Sequence, residues 1–475
     1  MMSFNYNDMI AVSPILFLSA YSLLLLIVDA SLKRPANICY WLTLVGLVVS
    51  GFLTVFTYNA SGNAFNGMVF TGRFPAFFEI VFVLSAALSV LLSKPYLEKE
   101  RINFGEYYTL LLFATLGMMI MASARDLMVL FLGLELMSIS LYVLAGFVRR
   151  DAKSNEASLK YFLLGAFATG FLLYGIALVY GASGTTNLSV ILERFSVTQN
   201  DPLLWIGAAL ILVGLSFKIS AVPFHMWVPD VYEGSPTTIS GFMSTGSKAA
   251  AFAALVLVFS YSVHPSWQLQ LVIAYLAAFT MVIGNLIALV QTNIKRMLAY
   301  SSIAHAGYAL VGIAAANSLG RTGVLYYMLA YTFMQIGAFG VVSVLENKEG
   351  KYLQISDYEG LANKHPVIAA LMALFMFSLA GLPPLAGFFG KYYLFASAVS
   401  AQMTWLAVVG VLASVVSVYF YLNVVVSMYF KELPEGSTSV AISKLGATAL
   451  IIAAAAVIEL GLTPGYVVAL TERLF

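Results

Sequence analysis

Long apolar runs repeat along the whole chain, and they decide what it can fold into. A helix that crosses a bilayer needs roughly 20 mostly apolar residues. We identify fourteen such runs, at about 9–29, 38–58, 76–97, 105–123, 126–148, 157–182, 202–222, 236–261, 268–290, 296–316, 322–345, 366–398, 402–430 and 442–470. Only 10% of the residues are charged, against about a quarter in soluble domains, so lipid suits this surface better than water. The short connectors predict a single domain over 1–475, an all-α polytopic membrane protein.

The basic residues are distributed unevenly between the two sets of alternate connectors. Of the 24 Lys and Arg residues, we place sixteen on one side, five on the other side and three inside the apolar runs. The side rich in basic residues is cytoplasmic in membrane proteins, so an even number of spans puts both termini on the opposite face. The net charge of +2 gives no indication of binding to nucleic acid.

Four charged residues fall inside predicted spans, near the middle of the bilayer: Glu135, Lys218, Lys248 and Lys391. A charge at that depth costs about 2.5–3.5 kcal/mol or more, and a lysine arm there is too short to reach the interface. Structural ion pairs are one explanation, but three lysines and one glutamate leave charge unmatched. Buried lysines exchange protons readily, so the row predicts a proton relay.

Three further groups remain open from the sequence. His305 lies within the tenth run and is either a structural hydrogen-bond donor or a member of the relay. His225 and Asp230 follow the seventh run on the cytoplasmic side, where they could form a proton uptake site. Glu79 and Glu459 fall close to the ends of spans, so we expect both at the membrane interface.

Two runs contain prolines where a regular helix is interrupted. Pro223 follows Lys218 in the seventh run, and Pro383–Pro384 precedes Lys391 in the twelfth. Non-helical backbone at membrane depth is tolerated only inside protein or beside a water-filled cavity. A simple kink is the alternative for a single proline. Two broken spans, each with a buried lysine, indicate paired repeats whose broken helices mark a transport path.

Several segments carry a resemblance to a known family. They are Gly133–Ser138, Phe217–Ile219, Val222–Tyr232, Ser247–Lys248, Gln291–Arg296 and Gly381–Pro384. With Lys391, they resemble the antiporter-like membrane subunits of respiratory complex I over essentially the whole chain. The resemblance implies 14 transmembrane helices with two inverted five-helix repeats, at about 105–261 and 268–430, each containing a broken helix.

The resemblance also implies roles for the buried charges. In the family, a glutamate like Glu135 pairs with a lysine like Lys218, and a lysine like Lys248 passes charge towards one like Lys391. A lysine at this last position, with no long lateral helix at the C-terminus, is typical of the subunit N group. The chain would then be a proton-translocating subunit of a bacterial NADH–quinone oxidoreductase, a translocase of the inner membrane with periplasmic termini.

Cofactors and partners follow from the same resemblance. NADH, FMN, the iron–sulfur clusters and quinone are expected in partner subunits, and the other membrane subunits of complex I are the expected partners. The single cysteine, Cys39, agrees, because it excludes a multi-cysteine cluster held by this chain alone. A cation/proton antiporter subunit is the alternative, and a purely structural scaffold would need no polar row. The electron donor, NADH or reduced ferredoxin, stays open.

Overall fold

The computed structural model describes residues 6–33, 35–60, 62–197, 201–260, 266–346, 352–433 and 442–474. Both chain termini, to which the orientation prediction refers, lie outside these ranges. Within them, thirteen helical segments are long and apolar enough to cross a membrane. The polytopic all-α class is therefore confirmed, and the remaining predicted run, 366–398, is present as two shorter helices.

The described elements follow one another along the chain. The first part contains α1 (Tyr6–Ala11), α2 (Ser13–Ser31), α3 (Ala36–Thr57), β1 (Gly62–Ala64), β2 (Val69–Thr71), α4 (Arg73–Glu100), α5 (Gly105–Ala122), α6 (Leu127–Ala145), α7 (Ala152–Ser183), α8 (Leu188–Val197), α9 (Pro202–Ile219), α10 (Val228–Gly234), α11 (Thr237–Phe242) and α12 (Lys248–Leu255). The second part contains α13 (Trp267–Ala288), α14 (Ile294–Ala315), α15 (Ser318–Leu345), α16 (Leu361–Lys364), α17 (Pro366–Ala380), α18 (Ala386–Ser400), α19 (Thr404–Phe430), α20 (Lys444–Leu462) and α21 (Pro464–Glu472).

Short polar side chains fix where several spans begin. Asp126 accepts a hydrogen bond from the amide of Met128 at 2.8 Å and so caps α6. Asn293 accepts from the amides of Lys295 and Arg296 at the start of α14. Such caps satisfy amides that have no partner within the helix. They set the register of the two helices that carry Glu135 and His305.

A small β-hairpin was not predicted from the sequence. Strands β1 and β2 pair antiparallel with Ala64 opposite Val69, and Asn66 and Gly67 in the turn have φ of +56° and +81°. The amide of Phe70 donates to the carbonyl of Ser123 at 2.7 Å, which holds the hairpin against the end of α5. The Asn-Gly dipeptide was the signal available for this turn.

Both predicted helix interruptions are confirmed. Helix α9 ends at Ile219, Ser220 has a φ of +66°, and helical structure resumes at Val228. Helix α17 ends at Ala380, and α18 begins at Ala386. Each interruption contains a cis peptide bond before a proline, Val222–Pro223 and Pro383–Pro384.

The spans that carry the ionisable residues lie at the centre of the described chain. The eighth span, 237–260, and α14 are each 94% buried over their most apolar stretch, whereas α2 is 22% buried and α7 33%. The eighth span also contains two π-helical turns, Met243–Ser247 and Val256–Ser260, which flank α12. The sequence did not predict these turns. The inverted relation of 105–261 to 268–430 stays a prediction.

Candidate functional site

Lys218 lies in the last turn of α9, immediately before the first interruption, and is 2% exposed. Its Nζ lies 3.4 Å from the hydroxyl oxygen of Tyr142, its one hydrogen-bond partner among the described residues. The same Nζ stands 5.1 Å from the centre of the Tyr142 ring and 5.3 Å from that of Tyr161. The ammonium is therefore surrounded mainly by aromatic faces, which attract a cation without accepting its protons in strong hydrogen bonds.

The aromatic rings around Lys218 hold one another in place. Tyr161 stacks on Trp227 with ring centres 4.4 Å apart, and Trp227 Nε1 donates to the carbonyl of Phe217 at 3.1 Å. A Cβ at Gly165 would collide with the Tyr142 hydroxyl, so glycine at this position leaves room for that group. The aromatic cage around Lys218 therefore consists of side chains from α6, α7 and α9 and from the interruption itself.

Glu135 and Lys218 do not form a direct ion pair. Glu135 lies two turns before Tyr142 on α6, and its Oε1 is buried with no hydrogen-bond partner among the described residues. Its charge acts on both Tyr142 and Lys218 through space. The pairing implied by the family resemblance is therefore an electrostatic proximity here, with Tyr142 as the shared neighbour.

Lys248 is the first residue after the π-helical turn of the eighth span and is 2% exposed. Its Nζ donates to the carbonyl oxygen of Ser302 at 2.7 Å and to the Ser302 hydroxyl at 2.5 Å. Ser302 lies on α14, one turn before His305. The contact joins the eighth span directly to the helix that carries the predicted histidine.

His305 is buried between two tyrosine hydroxyls. Its Nδ1 lies 2.5 Å from the Tyr327 hydroxyl oxygen and its Nε2 lies 2.9 Å from that of Tyr421, which in turn lies 2.5 Å from Ser301 Oγ. Each hydroxyl can donate or accept, and so can the imidazole, depending on its tautomer. His305 is also within electrostatic reach of both Lys248 and Lys391. This arrangement has the form of a hydrogen-bonded proton path.

Lys391 lies on α18 but its side chain reaches back across the second interruption. Its Nζ donates to the carbonyl oxygens of Leu379 and Ala380 at 3.0 and 2.9 Å and to Ser414 Oγ at 2.9 Å. The ammonium also lies 4.7 Å from the centre of the Tyr308 ring, which is 5.6 Å from the His305 ring. The three N–H donors of the ammonium each have an acceptor.

A cavity of about 520 Å³ borders Lys391 and Ser414. Its remaining walls are almost entirely apolar and include the exposed side chains of Tyr392, Val411 and Val415. The cavity therefore runs from Lys391 to the outer surface of the described chain.

Hydroxyl side chains lie between neighbouring members of the predicted row. Tyr161 beside Lys218 directs its hydroxyl, which has no hydrogen-bond partner in the described chain, towards Ser247 next to Lys248. Lys248 contacts Ser302, one turn before His305 on α14, and His305 lies within electrostatic reach of both Lys248 and Lys391. The structure thus brings Lys218, Lys248, His305 and Lys391 into one connected region, and Glu135 stands at its edge.

Asp230 and Glu233, which follow the first interruption, belong to a cluster of ion pairs on α10. Asp230 contacts Lys160 at 2.7 Å and Arg296 at 2.8 Å. Glu233 contacts Lys153 and Arg296, each at 2.9 Å. These pairs tie α7, α10 and α14 together beside the first interruption. Partly exposed pairs of this kind contribute on the order of 1 kcal/mol or less each.

The ion pairs determine how the two carboxyl groups titrate. Burial alone raises the pKa of Asp230, but hydrogen bonds from Lys160 and Arg296 outweigh it and hold this pKa below its usual range. The pKa of Glu233 is lowered in the same way against burial. Both groups are therefore ionised at neutral pH, and their stabilising contribution is lost only as the pH falls below about 4.

His225 lies apart from this cluster. Burial lowers its pKa, and its Nδ1 has no hydrogen-bond partner among the described residues. Among the described residues, His225 forms no ion pair with Asp230 or Glu233, whose carboxyl groups are paired with lysine and arginine side chains. No local sequence pattern predicts the aromatic rings around Lys218, since Tyr142, Tyr161 and Trp227 come from different elements.

Comparisons with known proteins place this region in a family. A family model described as "NADH:quinone oxidoreductase/Mrp antiporter, TM" matches residues 124–417, which include the whole row of site residues. The chain is 49% identical to NADH-quinone oxidoreductase subunit N of Trichlorobacter lovleyi, over 99% of this chain and 97% of that protein. It is 54% identical to the protein of the same name in Salinibacter ruber, over 77% and 74%.

Solved structures give the same result for the fold. A chain of respiratory complex I from Thermus thermophilus, solved with bound aureothin, superposes with a TM-score of 0.84 at 36% identity, covering 96% of this chain and 98% of that one. A chain of the Mrp complex from Dietzia superposes with a TM-score of 0.85 at 20% identity, over 99% and 97%. The second likeness shows a shared fold alone.

Proposed function

The chain belongs to the family of NADH:quinone oxidoreductase and Mrp antiporter membrane proteins, and we propose that it is a proton-translocating membrane subunit of an NADH–quinone oxidoreductase. The relatives that match over nearly its full length carry the name subunit N of that complex. The observation that carries the proposal is the buried row of titratable groups from Lys218 to Lys391, because a scaffold has no need of several titratable groups buried side by side.

In this mechanism, a proton moves along the row by transfers between neighbouring polar groups. Lys218 exchanges its proton towards Lys248 past Tyr161, while the charge of Glu135 governs when Lys218 holds it. Lys248, which is hydrogen-bonded to Ser302, passes it to His305 one turn further along α14, and Lys391, which lies over the Tyr308 ring beside His305, releases it. Other membrane subunits of the complex supply the signal that changes these charges.

We also propose the division of labour that the resemblance implies. Quinone reduction takes place in partner subunits, which hold FMN, the iron–sulfur clusters and quinone, and this chain holds no redox group. We place the chain in a bacterial inner membrane with both termini on the periplasmic side, because basic residues concentrate in the opposite connectors. A cation/proton antiporter subunit shares the fold, but the Mrp likeness supports only that fold.

The test is to replace Lys248 with methionine, which keeps an unbranched apolar stem but has no amine. In sealed, inside-out membrane vesicles with the assembled complex, we expect proton uptake driven by quinone reduction to fall to background. Lys431→Met is the matched control, because Lys431 is exposed and pairs with Glu359 outside the row. Wild-type proton uptake per electron in assembled Lys248→Met would contradict the proposed relay.

A further inference from the structure

Glu79 is a buried carboxyl group that the relay does not use. It lies six residues after the start of α4, is 5% exposed, and precedes the region matched by the family model. Glu459 lies similarly close to the end of α20 but is exposed. The sequence placed both at the interface, and the structure separates them.

A small cavity adjoins Glu79 and measures about 10 Å³, near the minimum that holds one water molecule. Its lining combines Thr57 at the end of α3, Gly72 before the start of α4 and Ser123 after the end of α5. These positions share one side of the membrane, the side predicted to be periplasmic. Glu79 is thus separated from that aqueous phase by fewer than two turns of α4 and one water-sized space.

When Glu79 is ionised, its carboxylate and the carbonyl of Ser50 compete for the single hydrogen of the Thr54 hydroxyl. Thr54 Oγ1 lies 3.0 Å from Glu79 Oε2 and also 3.0 Å from the carbonyl oxygen of Ser50. A threonine hydroxyl has a single hydrogen and cannot donate fully to both acceptors. With a proton on Oε2, Glu79 donates to Thr54 and Thr54 donates to Ser50. Without it, the Thr54 hydroxyl turns to the carboxylate, joined by Ser123 Oγ at 3.5 Å.

The charged groups near this region are engaged elsewhere. Arg73 donates to the carbonyl of Arg473, Arg125 lies over the Phe70 ring and donates to Ser189, and Asp8 accepts from the amide of Phe65. Glu79 forms no ion pair with any described residue, and its side-chain hydrogen-bond partners among them are the hydroxyls of Thr54 and Ser123. An ionised Glu79 would therefore have hydroxyl dipoles but no counter-charge.

We propose that Glu79, Thr54 and Ser123 form a proton-binding site that exchanges with the aqueous phase on the side where α3 and α5 end, separate from the lysine row. A proton from water binds Oε2 and leaves by the same opening, while the Thr54 hydroxyl rotates between Glu79 and Ser50. The ligand is a proton and not a metal cation, because the contacts at Glu79 supply only its own carboxyl group and two hydroxyl oxygens, fewer than the six or more oxygen ligands that a hard cation takes.

The test follows the infrared carbonyl band of a protonated carboxylic acid in the intact complex, reconstituted into liposomes with one orientation. When the pH is changed only on the side where α3 and α5 end, we expect a titrating band that Glu79→Gln removes. Thr54→Val, which keeps the shape of the side chain, moves the titration midpoint to higher pH by about one unit, since the carboxylate loses a donor. Glu459→Gln is the matched control and leaves the band in place.

Three results would overturn the site. The first is a band that persists in Glu79→Gln. The second is a band that responds only to pH on the opposite side. The third is a midpoint that changes with sodium concentration at constant ionic strength, which would indicate a cation site. If Glu79→Gln fails to assemble, Glu79→Asp and Thr54→Val replace it in the test. Glu79→Asp keeps a carboxyl group at this position, and Thr54→Val leaves Glu79 unchanged. An unchanged midpoint in both would then count against the proposal.

Discussion

The two interrupted helices look alike in sequence but treat their lysines differently. In the first, Lys218 precedes the interruption, and its amine has one long hydrogen bond, to Tyr142, among aromatic rings. In the second, Lys391 follows the interruption and turns back onto the C-terminal end of α17. There its amine donates to the carbonyls of Leu379 and Ala380 and to the hydroxyl of Ser414 on α19. The interruption therefore supplies acceptors to one lysine and not to the other.

The difference assigns separate tasks to the two sites. The free carbonyl groups at the end of α17 accept hydrogen bonds from the Lys391 ammonium and stabilise it directly, whereas Lys218, also in the last turn of a helix, donates to no carbonyl among the described residues. Lys218 depends instead on ring faces and on the nearby charge of Glu135, so its charge state responds to events elsewhere. We infer that Lys218 is the controlled member of the row and that Lys391 is the member that holds a proton until release.

Among the variants that test this difference between the two lysines, Lys391→Arg is expected to have the largest effect on pumping. Arginine keeps the positive charge and the donors but does not release its proton at any workable pH. We expect proton uptake to fall by about tenfold or more, a loss of at least ~1.4 kcal/mol, while the complex still assembles. The measurement is proton uptake together with quinone reduction in sealed vesicles.

Lys94→Arg is the control for that variant, because the Lys94 amine also lies over a tyrosine ring, at 4.9 Å from that of Tyr40, but outside the row. We expect it to pump normally. Normal pumping by Lys391→Arg would remove Lys391 from the release step and make the two interruptions equivalent.

A smaller but still marked loss is expected from Glu135→Gln, which removes the one charge that governs Lys218. Because the two residues act as a unit, adding Lys218→Ala to Glu135→Gln should reduce pumping little further, and the single effects should not add. Proton uptake of the single and double variants in vesicles with equal amounts of complex provides the measurement. Additive losses would show that Glu135 acts independently of Lys218.

The smallest effect, and the sharpest comparison, comes from hydroxyl deletions at the two lysines. Tyr142→Phe removes the only described hydrogen-bond partner of Lys218, whereas Ser414→Ala removes one of three partners of Lys391. We expect a loss of pumping of about threefold in Tyr142→Phe, since a long hydrogen bond to a charge contributes at the low end of ~1 kcal/mol. Ser414→Ala should stay close to wild type. The reverse order would refute the contrast drawn here.

The sequence predicted the backbone of the site better than its side-chain contacts. Both interruptions could be predicted from Pro223, Pro383 and Pro384, because proline has no backbone N–H to donate within a helix. The return of Lys391 onto α17 depends on the angle between two half-helices, which no local pattern encodes. Glu79 shows the same limit: counting residues gave its depth, but its burial depends on α3 and α5 covering it.

The wide turn at Met243–Ser247 sets the angular phase of the eighth span. Each residue of an α-helix advances about 100° around the axis, and a π-helical turn inserts one residue into that progression. Before the turn ends, Thr245 contacts Ser85 on α4, whereas after it Lys248 contacts Ser302 on α14. If the inserted residue migrated past Lys248, this side chain would swing by roughly that same angle while both ends of the span stayed still. The position of this turn therefore decides which neighbouring helix the Lys248 amine faces.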